Sequence, residues 1–157
     1  MEMVITINEG RVNEMNSKSR VLFVCVHNSF RSQMAEAILN DKYGDRFEAE
    51  SAGFLKKEIN PLAIAAMKNY GLDISQNATN NVFEYFKEGR LYNYVITVCS
   101  KEAEKDCPLF PGIQNRINWN LEDPEAFTGS QEEKFLKAVK LRDEIERRVD
   151  AFVSVMA

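Results

Sequence analysis

The sequence predicts an α/β fold: a single domain with a four-stranded parallel sheet flanked by helices. Apolar strand-like runs alternate with amphipathic helical segments, and that alternation builds parallel sheets with helices on both sides. The run Tyr94–Cys99 is continuously apolar, as suits a strand buried on both faces. At 157 residues the chain has the length of one domain with a proper core.

Residues 1–18 read as an N-terminal extension and residues 19–157 as the folded domain. Within the extension Val4–Ile7 could form a short strand, while Asn13–Ser19 is polar and linker-like. The first strand of the domain is Arg20–Cys25. The first helix begins at Arg31, pairs Met34 with Ile38 and Ala35 with Leu39, and ends near Gly44. Phe47–Ser51 alternates and forms the second strand. Asn60 is an N-cap followed by Pro61 at the first helical position, and Gly71 supplies the C′ residue. Leu62, Ala63, Ala66, Met67 and Tyr70 line the apolar face between them. Asn81–Gly89 is a short helix, Tyr94–Cys99 the third strand and Ile113–Trp119 a weaker fourth. Ser130 and Glu133 form a capping box opening a long helix, with Phe135, Val139, Arg142, Ile145, Val149 and Phe152 at helical spacing.

Bulk properties exclude several classes. The net charge of -4 speaks against nucleic acid or a membrane surface as partner. No apolar run reaches membrane-spanning length, and the N-terminus has no signal-peptide core. Three cysteines without metal-type spacing favour catalytic or redox thiols in a cytoplasmic protein over a structural disulfide framework. The single histidine, His27, makes a zinc site improbable.

The segment Cys25-Val26-His27-Asn28-Ser29-Phe30-Arg31-Ser32 carries most of the chemistry. It is a short loop between a strand and a helix N-terminus, where backbone N–H groups and the helix dipole favour an anion. A thiol in that field is favoured as the nucleophilic thiolate. The Arg31 guanidinium is a two-pronged donor suited to a tetrahedral oxyanion. Cys25 to Arg31 therefore reads as a nucleophile under a bound phosphate-like anion. The competing reading is a buried strand-end cysteine beside a structural arginine. In parallel sheets the site lies at the carboxyl ends of the strands. That rule gathers Cys25, Cys99 and the loop holding Asp123 at one edge. Asp123 is a general acid or the first residue of an Asp–Pro turn. Cys99 and Cys107 are redox partners of Cys25, or a core thiol and an incidental surface thiol.

Cys25–Glu36 resembles the anion loop of the low-molecular-weight protein tyrosine phosphatase superfamily, and more narrowly its thioredoxin-coupled arsenate reductases. The likeness continues through Ser51-Ala52-Gly53, Asn60-Pro61, Val95–Cys99, Cys107-Pro108, Trp119 and Asp123-Pro124 to the helix around Arg142. The resemblance implies a Cys25 nucleophile steadied by Ser32, an oxyanion held by residues Val26 to Ser32, and Asp123 as the acid. It further implies a relay of Cys25, Cys99 and Cys107, recharged by thioredoxin, that turns arsenate into arsenite. The chain has one residue more between Cys99 and Cys107 than these reductases. Some members hold a potassium ion; Asn28, Glu36, Ser51 and Asn80 occupy that site here, with Asn80 in place of an acid. No other cofactor is expected, and the protein is expected to be a cytoplasmic monomer. The alternative within the superfamily is a phosphomonoesterase using Cys25, Arg31 and Asp123. Phosphatases follow Asp–Pro with two tyrosines, whereas Glu125-Ala126-Phe127 follows here.

Overall fold

The computed structural model describes residues 17–111 and 115–156. Residues 1–16, with the expected Val4–Ile7 strand, lie outside them, as does Ile113. The sheet contains β1 (Ser19–Cys25), β2 (Phe47–Gly53), β3 (Tyr94–Thr97) and β4 (Asn115–Asn118). Their order is β2-β1-β3-β4 and every pairing is parallel. The helices are α1 (Arg31–Tyr43), α2 (Pro61–Tyr70), α3 (Val82–Lys87), α4 (Lys101–Glu104) and α5 (Gln131–Met156), with a 3₁₀ turn at Pro124–Ala126.

Central β1 is apolar from Val21 to Cys25 and buries both of its faces there. Val21, Phe23 and Cys25 point into the larger core with α1, α2 and α5, while Leu22 and Val24 point to the opposite side. There they meet Ala52, Val82, Tyr92, Val95, Cys107 and Phe110. The chain leaves β1 for β2 on one side and later returns to β3 on the other. The crevice between those departures lies at the carboxyl end of β1, where Cys25 stands.

Local chemistry fixes the helix ends. Asn60 accepts from the Leu62 N–H, Pro61 opens α2, and Gly71 closes it at φ 109°. Asn81 caps α3 by accepting from Phe83 and Glu84. Ser130 and Glu133 exchange the two bonds of the capping box at 2.9 and 3.1 Å. On α5 the inner face is Ala138, Leu141, Arg142, Ile145, Val149, Phe152 and Val153, with Phe135 and Val139 only half-buried.

Three boundaries differ from the expectation. β2 runs on to Gly53, because its ladder with β1 continues until Gly53 faces Cys25. β3 stops at Thr97 rather than Cys99. Val98 still donates to Val24 at 2.8 Å, but Ser100 then caps α4 and draws the chain off the sheet. β4 covers Asn115–Asn118, and beyond it the Trp119 N–H still donates to Thr97 O at 2.7 Å.

Candidate active site

The loop from Cys25 to Arg31 is shaped by what holds its carbonyls. Val26 O accepts from Leu55 N–H at 2.9 Å, His27 O from Lys57 at 3.1 Å and Ser29 O from Asn60 at 2.9 Å. Asn28 O accepts from the Gln33 side chain at 3.2 Å. Four successive carbonyls are thus turned outward, and Asn28 sits at φ 55°, in the left-handed region. A backbone bent this way turns its N–H groups toward the concave side and forms an anion nest. Asn28 N–H points at Cys25 Sγ, 3.1 Å away. The N-terminus of α1 carries no side-chain cap, so its first-turn N–H groups remain open toward the same place.

Behind the loop lies a buried polar network. Ser32 Oγ is 2.9 Å from Cys25 Sγ and accepts from Asn28 Nδ2 at 2.8 Å. With its oxygen engaged, the Ser32 hydroxyl proton is available to the sulfur. Asn28 Nδ2 also donates to Ser51 Oγ, and Ser51 donates to Glu36 Oε1. Burial raises the Glu36 pKa against the lowering pull of Ser51, with the Glu50 charge adding to the rise.

Asn28, Glu36, Ser51 and Asn80 do meet, as the sequence suggests, but as hydrogen-bond partners. Asn28 Oδ1 accepts from Asn80 N–H at 2.8 Å, and Ser51 O accepts from Asn80 Nδ2 at 3.0 Å. Asn28 Oδ1 and Ser51 O are thus engaged as acceptors within this network. Among the described residues no group of three or more His, Cys, Asp or Glu side chains could hold a metal.

Arg31 closes the loop. It is 6% exposed, and Nη1 donates to Val98 O at 3.4 Å and Leu121 O at 3.2 Å. Its Nε is buried with no hydrogen-bond partner. Among the described residues no carboxylate pairs with it. A buried guanidinium held by two long neutral bonds and carrying an unused donor strongly favours an incoming oxyanion.

A cavity of about 380 Å³ opens above this floor. Its lining includes Cys25, Val26, His27, Ser29, Phe30 and Arg31, with the 57–61 segment on one wall and Asp123, Pro124 and Glu125 on another. Asn28 and Ser32 lie behind the lining. Asp123 is exposed at the rim and accepts from Glu125 N–H at 2.9 Å. Lys57 and His27 face Glu125 at 3.6 and 3.9 Å, weak pairs at a solvated mouth. Phe127 is turned inward, edge-on to Phe30 at 6.4 Å, so it forms no wall for an aromatic substrate.

The two remaining thiols are both buried, at 1% for Cys99 and 7% for Cys107, so neither is an incidental surface group. Burial pushes the Cys99 thiol up to about 11. The nearby Cys25 charge adds to the rise, and Arg31 opposes it. Cys99 therefore lies within electrostatic reach of both ends of the anion loop. Cys107 packs on the opposite side of the sheet from Cys25, in the cluster with Leu22, Val24 and Phe110. Its thiol is also raised by burial, with Arg116 pulling it down.

Sequence reasoning missed Gln33, Gly53 and the Leu55–Asn60 strap. Gly53 is essential to the close fit: a Cβ there would lie 2.6 Å from Asn28 N and 2.9 Å from Val26 O. The apolar-to-glycine ending of β2 was the available signal.

The chain resembles known proteins in sequence and fold. Residues 20–157 match the family described as low molecular weight phosphotyrosine protein phosphatase. An arsenate reductase of Bacillus licheniformis is 38% identical over 138 residues, 87% of this chain and 96% of that protein. A structure of an arsenate reductase in the phosphate binding state superposes with a TM-score of 0.69 at 26% identity, covering 88% of this chain and 99% of its own. The Corynebacterium glutamicum thioredoxin-dependent arsenate reductase superposes with a TM-score of 0.62 at 30% identity, covering 91% of this chain and 66% of that one.

Proposed function

Because the chain belongs to the low molecular weight phosphotyrosine protein phosphatase family, we propose that it uses the family's anion loop to reduce arsenate to arsenite, as an arsenate reductase. The observation that carries this reading is Cys99, a second buried thiol that directly follows Val98, whose carbonyl accepts from Arg31. Phosphoester hydrolysis gives it no chemical step. The inward-turned Phe127 also leaves the mouth without an aromatic slot, which suits a small inorganic oxyanion.

In the proposed reaction Arg31 and the inward N–H groups bind arsenate. Cys25 thiolate attacks arsenic, forming an S–As bond, while Asp123 protonates the departing oxygen, which leaves as water. Cys99 thiolate then attacks Cys25 Sγ. The S–As bond breaks and its electron pair stays on arsenic, so As(V) becomes As(III) and arsenite departs as the Cys25–Cys99 disulfide forms. Cys107 thiolate attacks Cys99 Sγ, which releases Cys25 as thiolate and moves the disulfide to Cys99–Cys107. A dithiol protein of the thioredoxin type reduces that bond, taking the oxidation as its own disulfide. The cycle assigns no role to a cation. Phosphoester hydrolysis needs only Cys25, Arg31 and Asp123, which line one cavity, so a weak phosphatase activity accompanies the reduction.

The test is NADPH consumption with thioredoxin, thioredoxin reductase and arsenate. Wild type turns over steadily, whereas Cys107→Ser and Cys99→Ser stop after at most one turnover. Absence of arsenate-dependent consumption in wild type would leave the phosphomonoesterase reading in its place.

A further inference from the structure

We propose that Glu104 is a positioning residue, the latch that holds the Cys99–Cys107 segment shut through Thr97. The proposal rests on the relay reading above and concerns the step at which Cys107 leaves its pocket. In the structure Cys107 belongs to the cluster on the far face of the sheet from Cys25, beside Leu22, Val24, Val95 and Phe110. To attack Cys99, the chain between the two cysteines has to shift. That chain is Ser100–Asp106, whose only regular element is the single turn of α4.

Among the described residues, hydrogen bonds at two places tie this segment to the body. Arg116 donates to Pro108 O at 3.0 Å, just beyond Cys107. The other is a chain of hydrogen bonds. Asn118 on β4 spends both protons of Nδ2, one on Cys99 O at 3.1 Å and one on Thr97 Oγ1 at 2.7 Å. With its oxygen engaged as acceptor, Thr97 directs its own proton outward. Two acceptors are in range: Glu104 Oε2 at 3.1 Å and Ile117 O at 3.4 Å. The nearer one is charged, and hydrogen bonds to charged acceptors are the stronger. Asn118 Oδ1 is buried with no hydrogen-bond partner.

This arrangement separates two tasks. Asn118 pins the backbone of Cys99 to β4, so that thiol stays beside the anion loop. Glu104 ties α4 to the same threonine by one bond, so the helix can leave without disturbing Cys99. Release exposes Cys107 Sγ, which then attacks Cys99 Sγ of the Cys25–Cys99 disulfide. The Cys107–Cys99 bond forms, the Cys99–Cys25 bond breaks, and Cys25 departs as thiolate.

The experiment follows Cys107 directly in the full chain. Reduced protein is pulsed with iodoacetamide, and the Cys107 peptide is quantified by mass spectrometry alongside amide exchange of residues 101–107. Removing one partly exposed charge-assisted bond should speed alkylation of Cys107 by about three- to tenfold in Glu104→Ala. Thr97→Val should give a similar gain, and the double variant no more than either single. Glu104→Gln, which keeps an acceptor but no charge, should stay within about twofold of wild type. Turnover of p-nitrophenyl phosphate in the Glu104 variants should not change. An unmoved Cys107 rate in Glu104→Ala overturns the latch. So does a Glu104→Gln rate equal to that of Glu104→Ala, since the charge on Cys107 would then be the cause. Multiple arsenate turnovers by Cys107→Ser would instead remove the relay, while the alkylation result would still judge the latch.

Discussion

Cys99 is the residue whose protonation state sets the pace of the proposed chemistry. Its thiol is held up at about 11, first by burial and then by the Cys25 charge, with Arg31 acting in the opposite sense. Below that value only the minor thiolate fraction can attack, and the fraction grows about tenfold per pH unit. The second contribution is conditional: once the Cys25 sulfur is bonded to arsenic, its own charge no longer opposes ionisation of Cys99. Attack becomes possible only after that first covalent step, because the Cys25 sulfur must then carry the arsenic that takes the bond's electron pair as the Cys25–Cys99 disulfide forms. The prediction concerns Cys107→Ser, where the reaction stops at Cys25–Cys99. At saturating arsenate, the rate of disulfide formation followed by rapid acid quench and thiol counting should climb steadily from pH 6.5 to 8.5. A plateau reached below pH 7.5 would mean that the buried thiol is not the limiting group. Similar conditionality governs Arg31, whose unused Nε and long bonds to Val98 and Leu121 carbonyls leave its charge open to an anion.

Between elements, the tightest junction is the end of β2 against the anion loop. The N–H groups of Leu55, Lys57 and Asn60 hold the loop carbonyls outward, and Gly53 lets the two backbones come close enough to do so. Gly53→Ala places a methyl group against the backbone of Val26, His27 and Asn28, which cannot yield as a flexible side chain could. The expected outcome is a folded protein less stable by roughly 1–3 kcal/mol in urea, with arsenate and phosphate binding weakened by at least tenfold. Unchanged binding would show that the loop is held by its own dihedrals instead. The same junction explains what the sequence could and could not disclose. Periodicity and caps located α1, α2, α3 and α5, because Asn60, Gly71, Asn81 and the Ser130–Glu133 pair act on their own neighbours in the chain. The juxtaposition of Cys25, Arg31 and the helix start was legible for the same reason: they occupy one short loop. The outward pull on its carbonyls was not, since its donors lie about thirty residues downstream and are backbone atoms without sequence identity. The face of the sheet on which Cys107 sits was also hidden. It depends on where β3 ends, and Ser100 decided that by capping α4 two residues after Val98.

For the molecule as a whole, the long-range field works against an anion, since the chain carries a net charge of -4. Attraction has to be generated locally, and it exists only when the fold is complete. Arg31 reaches its place because β3 and β4 bring the Val98 and Leu121 carbonyls together. The nest exists because β2 and the start of α2 brace the loop. Farther away, Arg142 of α5 ties the end of α2 through Ala66 O and Asn69, and Lys42 of α1 reaches Asp150 on α5. The unfolded chain has none of this geometry, so an oxyanion binds the native state alone and must stabilise it by mass action. Phosphate, which has the shape and charge of arsenate but is not reduced by thiols, isolates that effect. At one hundred times its dissociation constant the gain is about 2.7 kcal/mol. For a domain of this size that is a rise in Tm of roughly 5–11 °C. Because Arg31 is buried, most of the rise should survive 0.5 M sodium chloride, which screens exposed charges but interior ones far less. Chloride lacks the tetrahedral set of acceptors and should not substitute. Arg31→Lys keeps the charge and loses the planar fork, so its phosphate-induced shift, measured against its own baseline, should fall below a third of the wild-type shift. A wild-type shift abolished by salt, or an equal shift in Arg31→Lys, would assign the binding to diffuse surface charge and remove Arg31 from the centre of the site.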